Sequence, residues 1–330
     1  MRRASIVLIP VVICGVACSA AARPKEVIDP AEAAADPDFA VQGEYVGTGA
    51  WPGSEKQEKI AAQVIARGEG KFEICLLRGG LPGEGWKRGG DRIRLEGARD
   101  GNLTTLKGPD GLAGKIAAGK LTLSAGGKQT ISLERTERKS PTLEAKPPKG
   151  AVILFDGTTA DNFDHGQLTQ FKTLMSGTTS KAGFASYTLH LEFRLSWMPT
   201  ARGQARSNSG VYMHDCYEVQ VLDSFGLEGR HNECGGLYIK KDPDVNMCLP
   251  PMVWQTYDID FTAPKYDAAG KKVTNARMSV RHNGVTIHKD VEYQSKGYGR
   301  QDEGPAPRPI HLQGHGNHVQ YRNIWLVEKK

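Results

Sequence analysis

The sequence predicts an all-β protein in two parts: a small, mostly antiparallel domain over residues 41–137 and a sandwich or jelly roll over residues 151–330. Three observations carry this. Residues 186–197 alternate without error, with Tyr187, Leu189, Leu191, Phe193, Leu195 and Trp197 apolar and every even position polar. A period of two is the signature of a strand with one face in a core. In the first part, the short apolar runs Phe72/Ile74/Leu76, Ile93/Leu95, Leu121/Leu123 and Ile131/Leu133 are separated by Gly79-Gly80, Gly89-Gly90, Asp100-Gly101, Asp110-Gly111 and Gly126-Gly127. Strands broken by glycine turns at this spacing favour antiparallel pairing. The second part has neither a long amphipathic helix nor a βαβ rhythm, which leaves stacked sheets.

The elements follow in chain order. Residues 1–22 join a basic start (Arg2, Arg3), an apolar run from Ile6 to Val16 and the small residues Ser19-Ala-Ala-Ala22, the pattern of a secretory signal peptide. Cleavage after Ala20 or Ala22 fits a small-x-small rule. Gly15-Val-Ala-Cys18 also resembles a lipoprotein box, with Gly15 where that box usually has Leu, and would put a lipid anchor on Cys18. Either way the expectation is export, to the periplasm or the cell surface. Residues 23–40, rich in Ala, Pro, Asp and Glu, read as a flexible leader. Residues 138–150, with Pro141 and Pro147-Pro148, read as a stiff linker. Within 151–330, Asn283-Gly284 between Met278/Val280 and Val285/Ile287 marks a hairpin.

Composition narrows the function classes. Of 330 residues 39% are hydrophobic and 24% charged, ordinary for a soluble protein with two cores. The net charge of +6 comes without a Lys/Arg block interleaved with aromatics, so nucleic acid is not an expected partner. Gly83-x-Gly85 opens like a dinucleotide fingerprint but fails at Arg88. Past Cys18 four cysteines remain: Cys75, Cys216, Cys234 and Cys248. Export permits disulfides, and the Gly/Pro-rich loop between Cys234 and Cys248 makes these two the first pairing, although four cysteines allow three full pairings. With no C-x-x-C spacing, zinc is less favoured.

All nine histidines lie in the second part, and its strands carry an unusual polar face. Parity puts Glu192 with Arg194, Glu218 with Gln220, Tyr212 with His214, and His311 with Gln313 and His315. Were these strands neighbours, one concave face would display carboxylates, an Arg, amides and imidazoles, a set able to orient hydroxyls, bind a divalent cation and move protons. Each has a plain alternative. Glu192/Arg194 could be a solvated cross-strand pair, Glu218/Gln220 a solvent-facing edge, His315 an incidental turn residue, and Arg322 a buried structural Arg. His231, His282 and His288 read as surface residues, and Trp197 and Trp325 as core.

The motifs Leu154-Phe-Asp-Gly157, Glu192-Phe-Arg194, Asn208-Ser-Gly-Val-Tyr212, Tyr217-Glu-Val-Gln-Val-Leu-Asp223, Cys234-Gly-Gly-Leu-Tyr238, Trp254-Gln-Thr-Tyr-Asp-Ile259, Leu312-Gln-Gly-His315 and Tyr321-Arg-Asn-Ile-Trp325 occur in one order over residues 151–329. In this they resemble the 3-keto-disaccharide hydrolase family. The resemblance implies a concanavalin-A-like jelly-roll sandwich and cleavage of glycosides oxidised at C3. Residues 41–137 resemble an extension that accompanies this domain in exported proteins of planctomycete-like bacteria, without an assigned role. A C3 ketone acidifies the C2 proton. A base removes it, the enediolate expels the C1 substituent, and water adds. The matching motifs carry over Glu218, Gln220 and His315 as catalytic residues and Glu192, Arg194, Tyr238, Gln313 and Arg322 as substrate-binding ones. Which is the base stays open. No cofactor is required by this chemistry, although a divalent cation could stabilise the enediolate. The competing expectations are a non-catalytic, lectin-like sugar-binding module and a structural cell-surface domain, because fold does not fix function.

Overall fold

Eight antiparallel strands close on themselves in the first half of the chain. In the computed structural model, which describes residues 23–126 and 128–330, β1 (Gly43–Ala50), β2 (Gln57–Gly68), β3 (Lys71–Arg78), β4 (Arg92–Asp100), β5 (Leu103–Lys107), β6 (Ala113–Ala117), β7 (Lys120–Ala125) and β8 (Lys128–Thr136) pair in sequence order, and β8 returns to β1. The antiparallel pairing is the one expected. Closure into a barrel, which removes every free edge, goes beyond it. Small residues permit the close approach. A Cβ on Gly47 would lie 2.2 Å from the Ser132 carbonyl oxygen, and one on Gly114 2.0 Å from that of Thr122. Tyr45, Ile60, Val64, Ile74, Leu121 and Leu133 fill the inside.

Residues 23–40 are not the flexible leader that their composition suggests. Asp29 and Asp36 cap two short helices, Pro30–Ala34 and Pro37–Val41, each with Pro in its first turn. Val27 pairs with Trp197 of the second half, and the Trp197 indole donates to Asp36 Oδ2 at 2.9 Å. Trp197 and Met252 join the barrel's apolar cluster, so the halves share a core there. The signal peptide and the Cys18 anchor lie outside the described residues.

The second half is a sandwich. A seven-stranded sheet holds, in order, 174–175, 320–328, 187–194, 254–262, 276–282 and 285–293, with 152–155 also paired to 320–328. A five-stranded sheet holds 163–164, 178–180, 311–312, 208–213 and 217–222. The alternating strand 187–194 runs through the middle of the larger sheet, and its odd positions point at Val211, Val219 and Val221 of the other. Burying such side chains stabilises by roughly 1.5–3 kcal/mol each. The Asn283-Gly284 hairpin forms as its sequence requires, with φ of 50° and 79°.

Local backbone corrects several face assignments. His214 has φ 57° and leaves the strand at a turn, so it lies against Phe261 in the core and not beside Tyr212. His282 and His288 are fully buried, not on the surface. Trp325 lies opposite His190 and stacks on it outside the sheet, 4.9 Å between centroids, not in the core. All four cysteines of the described residues are free thiols. The Cys234–Cys248 disulfide expectation is therefore corrected: the two thiols touch in the core, Cys234 also meeting the Tyr257 hydroxyl at 3.2 Å, without a bond between them.

The linker 138–150 is docked over residues 138–145, and residues 146–150 are exposed. Arg138 Nε donates to the buried Glu44 Oε2 at 2.7 Å and its Nη1 to the Pro82 carbonyl at 2.7 Å. Thr142 and Ser140 bond the strand 254–262 through Asp258 and Thr256. Removing one partner of a buried pair leaves an uncompensated charge. Arg138→Ala is expected to cost about 3–5 kcal/mol in urea unfolding. Lys120→Ala, whose partner Glu134 is exposed, should leave the midpoint nearly unchanged.

Candidate active site

The outer face of the five-stranded sheet carries the strongest candidate. Tyr217, Val219 and Val221 point into the core, so period two sends Glu218 and Gln220 outward. Tyr212 is the cross-strand partner of Glu218, Gly210 that of Gln220, and His311 follows on the next strand. The face is not solvated. Glu218 and Tyr212 are each 3% exposed and Gln220 1%. The segment 235–238 runs along the free edge of 217–222, bonding Gln220 and Glu218 through their backbones, and Gly299 and Gln301 bond the turn at Asp215–Cys216.

Two neighbours address the Glu218 carboxyl, and a third acts through one of them. The Tyr212 hydroxyl hydrogen-bonds to it. Gln220, with its amide turned to satisfy both ends, donates to Oε1 at 2.7 Å. Gln313 Nε2 donates to the Tyr212 hydroxyl oxygen at 3.0 Å, which frees that O–H for Glu218. Burial outweighs the Tyr212 hydrogen bond and pushes the Glu218 carboxyl up to about 7. Burial, then the nearby Glu218 charge, raises Tyr212 well above an ordinary phenol. Gln313 Oε1 is buried without a partner among the described residues. A carboxyl that titrates near neutrality, with a hydroxyl relay behind it, can take and return a proton. Among the described residues no three His, Cys, Asp or Glu side chains could hold a metal ion, and the hydroxyl and amides around Glu218 do not fit a cation site.

The remaining candidates divide. Tyr238 borders this site. Glu218 raises its phenol after burial does, and its ring lies 5.1 Å from that of Tyr298, which is 62% exposed. His315 sits on the exposed turn after 311–312, beyond the end of that strand, and among the described residues makes no hydrogen bond to the Glu218 set. Glu192, Arg194 and Arg322 do not join it. They lie on the outer face of the seven-stranded sheet, with the core between them and Glu218. Parity fixes which way a side chain points but not which sheet its strand enters. There Glu192 accepts from Arg322 Nε at 2.7 Å, Asn323 Nδ2 at 2.9 Å and the Glu144 backbone N–H. Burial alone would raise the Glu192 carboxyl, but hydrogen bonds from His190, Asn323, Glu144 and Arg322 lower it to about 2. Tyr212, which hydrogen-bonds to Glu218, and His311 are the residues that sequence reasoning left without a role. His311 packs at 5.5 Å from the Tyr212 ring, and its parity with Gln313 was the available signal.

The 3-keto-alpha-glucoside-1,2-lyase-like domain family matches residues 150–327. The chain belongs to this family. Among solved structures, it is similar to a "putative glycosyl hydrolase" of Parabacteroides distasonis ATCC 8503, at 26% identity and TM-score 0.50, covering 55% of this chain and 85% of that one. A second structure with the same description from that organism is similar at 14% identity and TM-score 0.40, covering 58% of this chain and all of the other. No curated protein matches the chain. The family region coincides with the sandwich and includes Glu218, and leaves the barrel outside.

Proposed function

We propose that this chain is an exported glycan-processing enzyme that cleaves 3-keto-glycosides, with Glu218 as its proton-transferring group. The observation that carries the reading is a buried carboxyl held near pH 7 beside Tyr212 and Gln220, on the sandwich of a family named for lyase action on 3-keto-α-glucosides. Glu218 as carboxylate takes the C2 proton. The C–H pair becomes the C2=C3 bond and the C3 oxygen takes the negative charge. The enediolate then re-forms the ketone, the C1–O bond breaks, and its electron pair leaves with the aglycone oxygen. That oxygen needs a proton, which protonated Glu218 returns. Water added across C1=C2 gives the free 3-keto sugar. Gln220 and the Tyr212 hydroxyl are placed to steady Glu218 in both states, and His315 remains a candidate at the rim. Export, and the alternative lipid anchor at Cys18, rest on residues 1–22.

The pairing of half-buried Tyr238 with exposed Tyr298 favours a second reading, a sugar-binding module that stacks a pyranose without cleaving it. Incubation with an aryl 3-keto-glucoside separates the two: aglycone release supports the enzyme, and binding without release supports the module.

Gly210 offers an internal check. A Cβ there would lie 2.4 Å from Glu218 Oε1 and 2.9 Å from the Tyr212 ring. Gly210→Ala is expected to displace the carboxyl and cut turnover roughly 100-fold, the scale for a misplacement of about 1 Å. Steady-state kinetics beside a thermal melt distinguish this from unfolding.

A further inference from the structure

The geometry points to a second ligand site, on the opposite face of the sandwich from Glu218, that takes the carboxylate of a uronic acid. The site is a groove of about 850 Å³ on the outer face of the seven-stranded sheet, walled by the linker and by the segment around Phe171. That volume is within the usual range for small-molecule sites. At its floor is Arg194, 8% exposed. Buried guanidinium groups ordinarily meet a carboxylate. Arg194 meets none. Its Nη2 donates to Gln320 Oε1 at 2.6 Å, an oxygen already shared with the Thr173 hydroxyl. Its Nε is buried without a partner among the described residues. Its other contacts are the rings of Trp254 and Phe171, at 4.8 and 5.5 Å.

The neighbouring charges do not supply the missing anion. Arg322 is already paired with Glu192 and Glu144. Burial, then repulsion from Arg322, lowers Arg194 to about 10, and Asp29 offsets this only through space. Lys146 and Lys172 also face the groove, and Asp156 is its remaining carboxylate. Its lining thus holds four cations and three carboxylates, which leaves one positive charge unmatched. A single surplus charge suits a monoanion, and a guanidinium fork suits a planar carboxylate. Phe171 and the half-exposed Ile153 give an apolar wall for the C–H face of a ring. The choice of a carboxylate rests on this charge balance. The choice of a sugar to carry it rests on the glycoside reading above.

The test is calorimetric titration of the full chain at low ionic strength with D-glucuronate, acetate, D-glucose and inorganic phosphate. Glucuronate should bind at least tenfold more tightly than glucose, and acetate should compete with it. Arg194→Gln should weaken glucuronate at least tenfold. Lys172→Glu, an exposed change that spares the core, should weaken it several-fold and decides the matter if the first variant does not fold. Glu218→Gln should leave it unchanged, so failure here is separable from failure of the Glu218 reading. Glucose binding as tightly as glucuronate, phosphate binding more tightly, or unaltered affinity in Lys172→Glu would overturn the proposal.

Discussion

Glu218→Gln is expected to lower turnover of a 3-keto-glucoside at least 100-fold while making the protein more stable at alkaline pH. The first effect is the usual scale for losing a general acid or base. The second follows from burial. Glu218 titrates at about 7 in the fold against an ordinary 4.5, so the fold prefers its protonated form. Between pH 4.5 and 7 the folded chain holds a proton that the unfolded chain has released, and stability falls as pH rises through this window. A shift of this size amounts to about 3 kcal/mol at most. The neutral amide of the variant does not titrate, so the variant should lack this fall and exceed the wild type by up to that amount above pH 7. Urea unfolding at about pH 5 and about pH 8, on either side of the midpoint, reads the stability arm and initial rates read the other. Opposite signs in the two arms cannot come from a damaged fold.

Glu192→Gln is expected to do the reverse, losing stability and sparing the chemistry. Glu192 is wholly buried and ties Arg322, Asn323 and the linker backbone at Glu144 to the strand 187–194. Breaking a buried pair from one side costs about 3–5 kcal/mol. The pH signature is the mirror of that for Glu218. A carboxyl lowered to about 2 stabilises the fold above pH 4.5 and loses that contribution as pH falls toward 2. The gap between wild type and variant should therefore be full at neutral pH and close on acidification. Unchanged stability at neutral pH, with lost turnover, would return Glu192 to the substrate site.

The contrast between these two carboxylates shows what was legible in the sequence. Period two in 187–194 and 217–222 was enough to find both strands, their buried faces and the outward direction of Glu192 and Glu218. The hairpin at Asn283-Gly284 was equally plain, because only a few residue types accept positive φ at both turn positions. The pairing of strands was not legible. It depends on contacts distant in sequence, and it put Glu192 and Glu218 on opposite outer faces. His214 was misread for a local reason: its strand ends one residue earlier, at Met213, and the alternation ends with it. The linker hid its role because Ser140, Thr142 and Glu144 look like ordinary linker residues. Only the folded sheet reveals that they satisfy Thr256, Asp258 and Arg322. Barrel closure was invisible for a related reason, since β1 and β8 are separated by the whole first unit.

The central claim is that Glu218 removes a proton made acidic by a neighbouring ketone. The most direct measurement compares aglycone release from an aryl 3-keto-glucoside and from the matching unoxidised glucoside, at neutral pH, with the purified protein. Release from the 3-keto compound alone is the expected result, because without the ketone the C2 proton is not acidic. Equal release from both would contradict it and point to an ordinary glycosidase with paired carboxylates.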